Sequence, residues 1–187
     1  IDSTKKTVPM MYSEEHSYLD DGKAAGFIRP YKNGYGFAAL LPNEDISLSD
    51  YVASMTGKSF IDTIKKAKDV PVETAIPKFF YDYDIKMNSA LKVLGMTNPF
   101  EPSKADFSAL GSSDSGNIFI SRVLHKAYIA VDEKGTKAGA ATAADIKVNS
   151  DIGGLYSVTL DRPFVYAIID DATGLPVFIG TVTDIGK

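Results

Sequence analysis

Residues 133–144 carry the most informative pattern in the chain, and they read EKGTKAGAATAA. The segment contains no proline, and no residue after Lys137 is larger than threonine. Alanine is the best helix former, so this composition is compatible with a short surface helix. Small residues are equally compatible with a flexible linker. A third interpretation is a β-strand with one buried face.

As a strand, the segment would divide its side chains between two faces, because successive residues point to opposite sides of a sheet. One face would hold small side chains only, namely Thr136, Ala138, Ala140, Thr142 and Ala144. A packed core accepts such residues, whereas Leu or Phe would overpack it. Lys137 would lie on the opposite face and point to water. The segment is therefore compatible both with an exposed loop and with a buried strand.

Strands are predicted on both sides of this segment. The stretch Ala24–Leu41 contains Asn33-Gly34 between two apolar runs, which is a strong hairpin signal because both turn positions tolerate positive φ. Apolar residues also run through Asn117–Asp132, which is long enough to cross a whole sheet. The stretches Pro163–Asp171 and Leu175–Thr183 flank a second turn. Both of these arms are almost wholly apolar, so this hairpin is predicted to lie in a core.

Two helical stretches interrupt the strands. The first covers Leu48–Met55 and Phe60–Ala67, and Gly57 is predicted to break it in two. The second covers Ile85–Leu94, where apolar residues recur at helical spacing before a glycine. The chain is therefore predicted to have an α+β fold that is richer in strand than in helix. No linker is visible, so residues 1–187 are predicted to form a single domain segment.

Composition excludes several classes of function. The chain has 20 Lys and Arg against 24 Asp and Glu, a net charge of −4, and no long basic block, so nucleic acid is not an expected partner. The absence of cysteine excludes a disulfide framework and a thiolate metal site. No apolar run approaches the roughly 20 residues of a membrane helix, so no membrane partner is expected. The chain begins Ile-Asp-Ser and is expected to be processed or trimmed from something longer.

The sequence predicts no enzyme, no metal site and no cofactor. Histidine occurs only at His16 and His125, which are too few for a three-histidine zinc site. The hydroxyl-rich segment 111–116 lacks the strand-to-helix context of a nucleophile elbow and is predicted to be a solvated loop. Ser89 and Lys92 form a Ser-x-x-Lys pair, and a second such pair occurs elsewhere in the chain. The serine and lysine content of the chain predicts about this many pairs by chance, so the match carries no functional signal. His125 lies inside an apolar run, where a core histidine with a hydrogen bond across the sheet is the simplest interpretation; a pH-sensing or ligand role is the alternative.

Seven motifs in the same order resemble the serpins, the serine-protease-inhibitor superfamily. The resemblance covers essentially the whole chain. The matching segments are Val8-Pro9-Met10-Met11, Pro30–Glu44, Pro77-Lys78-Phe79, Leu91–Met96 with Ala105–Ser108, Ile120–Ala127, Glu133–Ala138, and Asp161–Phe164 with Pro176–Val182.

The resemblance implies a serpin fold and only part of it. A complete serpin is about twice this length, so the chain corresponds to the C-terminal half. That half contains the barrel-like sheet B, sheet C, and the strands of the large sheet A that carry the reactive loop. The N-terminal half of the same serpin is then an expected partner. Without that half the fragment alone is expected to be inactive.

The resemblance also implies a function and assigns residues to it. An inhibitory serpin offers a reactive loop, here about residues 135–160, to a target serine protease as a suicide pseudo-substrate, and the cut loop inserts into the large sheet. The residues of the reactive-loop hinge would be Glu133, Gly135, Thr136, Ala138, Ala140 and Thr142. Counting from the hinge glycine places the scissile bond between Asn149 and Ser150. His125 corresponds to a latch where the large sheet opens.

Two further expectations come from the same resemblance. A secreted or extracellular location is compatible with the absence of cysteine. The alternative function is that of a non-inhibitory serpin, which would act as a binding, carrier or chaperone-like protein. Such members tend to carry bulky, charged or proline residues in the hinge, and small residues at these positions favour an inhibitor.

Overall fold

The computed structural model describes residues 7–132 and 156–184 of the chain. By their internal contacts they divide into two compact units, one formed by residues up to 79 together with those from 131 onward, the other by residues 80–130. None of the helices in these described ranges has the length and apolar character needed to cross a membrane. The single domain segment expected from the sequence stays a prediction.

The larger unit is built on a seven-stranded sheet. Its strands are β1 (Met10–Asp20), β2 (Ala24–Pro30), β3 (Tyr35–Pro42), β4 (Lys68–Pro77), β7 (Tyr156–Thr159), β8 (Phe164–Asp170) and β9 (Pro176–Val182). Across the sheet the order is β7-β4-β1-β2-β3-β8-β9. Each neighbouring pair is antiparallel except β4 and β7, which run parallel. The sheet therefore joins the residues that follow the segment 133–155 to strands from the beginning of the chain.

The hairpin of β2 and β3 confirms the turn predicted at Asn33-Gly34. Gly34 has a φ of 77°, a value that glycine adopts without strain. The Tyr31 amide donates to the Tyr35 carbonyl oxygen at 2.6 Å and closes the turn. Farther along the hairpin, Phe27 lies opposite Ala39 in the register, and both are fully buried. The hairpin thus supplies the centre of the core.

Two short helices cover part of this sheet and confirm the predicted break near Gly57. They are α1 (Leu48–Ser54) and α2 (Gly57–Lys65). The Ser47 hydroxyl accepts from the Asp50 amide at 3.1 Å and caps α1, while Thr56 and Ser59 form a capping box on α2. The helices bury one apolar face against the sheet, through Leu48, Tyr51, Phe60 and Ile64.

The second hairpin, β8 and β9, is only partly the core hairpin that its composition predicts. Strand β8 is almost wholly buried. Along strand β9, partly buried side chains instead alternate with exposed ones, and Val177 and Ile179 are 60% and 51% exposed. The prediction that both arms lie in the core is wrong for β9 within this chain. The reason is positional, because β9 is the last strand at its edge and nothing in the described residues covers one of its faces.

The smaller unit contains β5 (Phe79–Lys86), α3 (Asn88–Val93), a 3-10 helix (Asn98–Phe100) and β6 (Leu124–Val131), except that the terminal residues Phe79 and Val131 belong to the larger unit. The predicted helix 85–94 is wrong at its start, since Ile85 and Lys86 end β5. The predicted strand 117–132 is wrong before Leu124. There the Ile120 amide donates to the Pro99 carbonyl oxygen at 2.8 Å, and the Asn117 amide group donates to the Ala105 carbonyl oxygen at 2.7 Å. These bonds hold the segment as a loop.

Candidate functional site

Strand β6 leads directly into the segment of small residues, and it lies in a two-stranded sheet with β5. One face of this pair is held by a contact between the rings of Phe80 and Tyr128, whose centroids are 5.6 Å apart. On the same face, Lys126 Nζ lies 2.9 Å from Asp84 Oδ2, and the hydrogen bond and charge of this carboxylate raise the pKa of Lys126. Strand β6 is thus tied to one neighbour by ring and ion-pair contacts.

The connection that precedes β6 is closed by Asn88 at the start of α3. Its side-chain oxygen accepts from the Val123 amide at 2.9 Å, and its side-chain nitrogen donates to the Ser121 carbonyl oxygen at 3.1 Å. The Met87 amide adds a bond to the Val123 carbonyl oxygen at 2.9 Å. These three bonds fix the residue at which β6 begins. Because the strand continues regularly from there, its start determines which residue lies at its end.

The proposed hinge and the proposed scissile bond lie outside the described residues. This holds for Glu133, Gly135, Thr136, Ala138, Ala140 and Thr142, and for Asn149 and Ser150. Their roles therefore stay predictions. The described residues give the two elements that bracket them in the chain, which are β6 before them and β7 after them.

His125 is exposed on β6. The interpretation as a core histidine is therefore wrong within this chain, because β6 has a single neighbour among the residues that the structure describes. The role of His125 as a latch where the large sheet opens stays a prediction.

Strand β7 ends the candidate loop earlier than the sequence predicts. Residues Tyr156–Thr159 pair with Val72–Ala75 of β4, and Val158 is buried. The Leu160 amide then donates to the Ala75 carbonyl oxygen at 2.9 Å, and the Leu160 side chain is fully buried. The prediction of a loop that extends to residue 160 is therefore wrong. Because β7 begins at Tyr156, the candidate loop extends no further than residue 155. The apolar residues at 158 and 160 could have signalled this strand.

A cluster of two tyrosines and a lysine lies where β7 begins, and the sequence does not predict it. The rings of Tyr18 and Tyr156 lie 4.2 Å apart between centroids at an angle of 32°. Lys68 Nζ lies 5.5 Å from the Tyr18 centroid and 5.9 Å from the Tyr156 centroid. Burial, followed by the nearby charge of Asp20, raises the pKa of the Tyr18 phenol. The three residues come from β1, β4 and β7, so no local signal could have brought them together.

A buried polar network crosses the same sheet. Arg29 Nε on β2 donates to Glu15 Oε1 on β1 at 2.6 Å, and both side chains are 10% exposed. Arg29 also donates to the Ser13 hydroxyl, which donates to Glu15 Oε1 at 2.7 Å. The Thr74 hydroxyl of β4 donates to the Ser13 carbonyl oxygen at 3.0 Å. The network therefore joins β2 and β1 to β4, the strand on which β7 lies.

Comparison with known proteins identifies the family. The family model described as Serpin (serine protease inhibitor) matches residues 1–185. Among solved structures, a thermophilic serpin, tengpin, in the native state has a TM-score of 0.85 and 52% sequence identity, over 96% of this chain and 47% of that chain. The latent state of tengpin has a TM-score of 0.79 and 46% identity, over 97% of this chain and 48% of that chain. The chain belongs to the serpin family and has the serpin fold.

Curated relatives come from distant organisms. Serpin-ZX of Arabidopsis thaliana is 32% identical over a match that covers 98% of this chain and 50% of the relative. The human leukocyte elastase inhibitor is 31% identical over a match that covers 94% of this chain and 48% of the relative. The chain thus spans about half the length of the curated relatives it matches. The family's description is that of a protease inhibitor, not of an enzyme.

Proposed function

We propose that the protein to which this chain belongs inhibits a serine protease by offering a reactive loop, within residues 135–155, as a suicide pseudo-substrate. The protease would cut the loop and form an acyl-enzyme. The loop would then insert as a new strand next to β6 and carry the attached protease with it. The family assignment and the small residues at Thr136, Ala138, Ala140 and Thr142 support this proposal.

The observation that carries the proposal is the incomplete sheet of β5 and β6. Exposed apolar side chains occur on both faces of this pair, including Phe80, Tyr83, Leu124 and Tyr128. An isolated two-stranded sheet is marginally stable in water, so this pair requires further strands beside it and other residues that cover its apolar faces. The N-terminal half of the same serpin is the proposed partner that supplies them. We therefore expect the fragment alone to be inactive.

The energetics of insertion fit this role. An inserted strand gains ladder hydrogen bonds on both sides, and about a dozen residues at a net ~0.5–1.5 kcal/mol per bond give on the order of 10 kcal/mol. Fourteen residues at ~3.3 Å each span about 46 Å, which is enough to move a tethered protease across the molecule. The uncut form would then be metastable, and the cut would release the stored energy.

The hinge and the scissile bond are part of the proposal. Counting from Gly135 gives a cut between Asn149 and Ser150. The same count also allows a cut after any residue from Val148 to Ile152. A small apolar pocket in the protease would favour Val148 or Ile152, whereas a trypsin-like pocket would favour Lys147. His125 is proposed as the latch that bridges strands before the sheet opens.

Mixing the full-length protein, which joins this chain to its N-terminal half, with a panel of serine proteases tests the proposed function. We expect an adduct that survives SDS with at least one protease, and a peptide released by a cut after one of residues 147–152. Mass spectrometry of that peptide identifies the bond. Rapid cleavage without an adduct across the panel would contradict the proposal and favour a non-inhibitory carrier or chaperone-like serpin. We also propose a location outside the cell, which fractionation of the source organism tests.

A further inference from the structure

An asparagine–glycine pair is exposed at the tip of the hairpin formed by β2 and β3. Both Asn33 and Gly34 lie in the turn between these strands, and both are exposed. A Cβ placed on Gly34 would meet no heavy atom within 4 Å beyond its chain neighbours, so the space around this residue is open. Water therefore reaches the peptide bond that joins the two residues.

The side-chain amide of Asn33 and the N–H of Gly34 make no hydrogen bond within residues 7–132 and 156–184. Asn88 differs, because its side-chain oxygen accepts from the Val123 amide at 2.9 Å and its side-chain nitrogen donates to the Ser121 carbonyl oxygen at 3.1 Å. Before the side chain of Asn88 can turn towards the backbone, two hydrogen bonds must break. The side chain of Asn33 has no such restraint.

The bonds that hold the turn use other atoms. The Tyr31 amide donates to the Tyr35 carbonyl oxygen at 2.6 Å, and the Asp171 amide donates to the Gly34 carbonyl oxygen at 3.0 Å. Gly34 has a φ of 77° and carries no side chain, so little steric hindrance surrounds its nitrogen. The fold therefore leaves the Gly34 nitrogen open to the side-chain carbonyl carbon of Asn33.

A covalent reaction between these two groups needs only water. The Gly34 nitrogen attacks Cγ of Asn33, so an N–Cγ bond forms and the Cγ–Nδ2 bond breaks. Nδ2 leaves as ammonia with the proton that the Gly34 nitrogen gives up, and a cyclic succinimide remains. Water then opens the ring at either carbonyl carbon and leaves aspartate or isoaspartate at position 33. Asparagine is for this reason among the thermolabile residues of proteins.

We propose that Asn33 is a site of spontaneous deamidation in the folded protein. The reaction replaces a neutral amide by a carboxylate at the tip of the hairpin, next to the residue that accepts the Asp171 amide. The isoaspartyl product also adds a carbon atom to the backbone of the turn. The modification is independent of the proposed function, since it involves neither the reactive loop nor a protease.

The test follows the full-length protein at mildly alkaline pH and at a temperature below its unfolding transition. Mass spectrometry of the peptide that contains residue 33 measures the conversion with time, both in native buffer and in urea that unfolds the protein. We expect the rate in the native protein to lie within about tenfold of the rate in the unfolded protein, because an exposed turn needs little opening to react. The rate should also rise with pH, since the Gly34 nitrogen must lose its proton to attack.

Ser89→Gly provides the matched control, because glycine then follows Asn88, whose side chain is hydrogen-bonded. In the unfolded variant, Asn33 and Asn88 should convert at similar rates. In the native variant, Asn88 should convert at least roughly tenfold more slowly than Asn33, because its two hydrogen bonds must first break. Asn33→Gln should abolish the conversion at the turn, since its longer side chain does not form the succinimide ring.

Two results would overturn the proposal. One is a conversion of Asn33 that is more than about tenfold slower in the native protein than in the unfolded protein. The other is an equal native rate at Asn33 and Asn88 in the Ser89→Gly variant, since the hydrogen bonds would then not determine which site reacts. The comparison of native and unfolded rates in the unmodified protein holds whether or not Ser89→Gly folds normally.

Discussion

Arginine at Thr136 or Ala138 is expected to abolish the proposed covalent complex and to make the full-length protein an ordinary substrate of the protease. Both residues would lie on the inserted face of the new strand. A buried, unpaired guanidinium costs several kcal/mol, and each 1.36 kcal/mol slows a step tenfold. Insertion competes with hydrolysis of the acyl-enzyme, so we expect the yield of SDS-stable adduct to fall roughly 100-fold while the loop is still cut.

Ala141→Arg is the matched control for this experiment. It places the same charge in the same segment, on the face that would stay towards water with Lys137. We expect its adduct yield to remain within about twofold of the unmodified protein. Equal yields in Thr136→Arg, Ala141→Arg and the unmodified protein would mean that the segment does not insert with the proposed face.

Removal of the Glu15 carboxylate is expected to lower the stability of the sheet by several kcal/mol. Glu15→Leu would leave the Arg29 guanidinium buried without its charge partner, and breaking a buried pair in this way costs about 3–5 kcal/mol. The Ser13 hydroxyl would lose its hydrogen bond to Glu15 as well. Urea unfolding of the full-length protein measures the change in the free energy of unfolding.

Three comparisons make the Glu15 experiment decisive. Glu14→Gln alters the neighbouring carboxylate, which is 60% exposed, and should change the free energy of unfolding by no more than about 0.5 kcal/mol. Glu15→Gln keeps a hydrogen-bond acceptor and should cost less than Glu15→Leu. Joining Glu15→Leu to Arg29→Met should recover much of the loss, because an apolar pair can replace a buried ion pair. A cost of Glu15→Leu below about 1 kcal/mol would contradict the role assigned to the pair.

Local signals in the sequence predict the elements that depend on local physics. The turn at Asn33-Gly34 needs a positive φ, and glycine supplies it, so the hairpin of β2 and β3 could be predicted. The capped helices α1 and α2 could be predicted for the same kind of reason. The helix predicted over 85–94 starts too early because Ile85 shares its apolar character with the strand β5 that it ends. Short apolar runs do not distinguish a strand from a helix.

Elements whose partners are distant in the chain could not be predicted. Strand β4 contains Pro71 and alternates between exposed and buried residues only over 71–74, yet it pairs with β1 over most of its length. The exposure of His125 depends on which strands lie next to β6, and that information is not local. The cluster of Tyr18, Lys68 and Tyr156 joins residues from three strands, so it could be found only in the folded chain. The hinge, by contrast, was assigned from composition and family resemblance, and it stays a prediction.

The stability of the full-length protein before and after a single cut in the loop tests the central claim most directly. Thermal and urea unfolding would be compared for uncut protein, for protein cut once after one of residues 147–152, and for protein treated with inactivated protease. A loop that becomes a central strand should raise the free energy of unfolding by on the order of 10 kcal/mol, so the cut protein should unfold at a much higher temperature and urea concentration. Equal unfolding transitions in the cut and uncut proteins would contradict insertion of the loop.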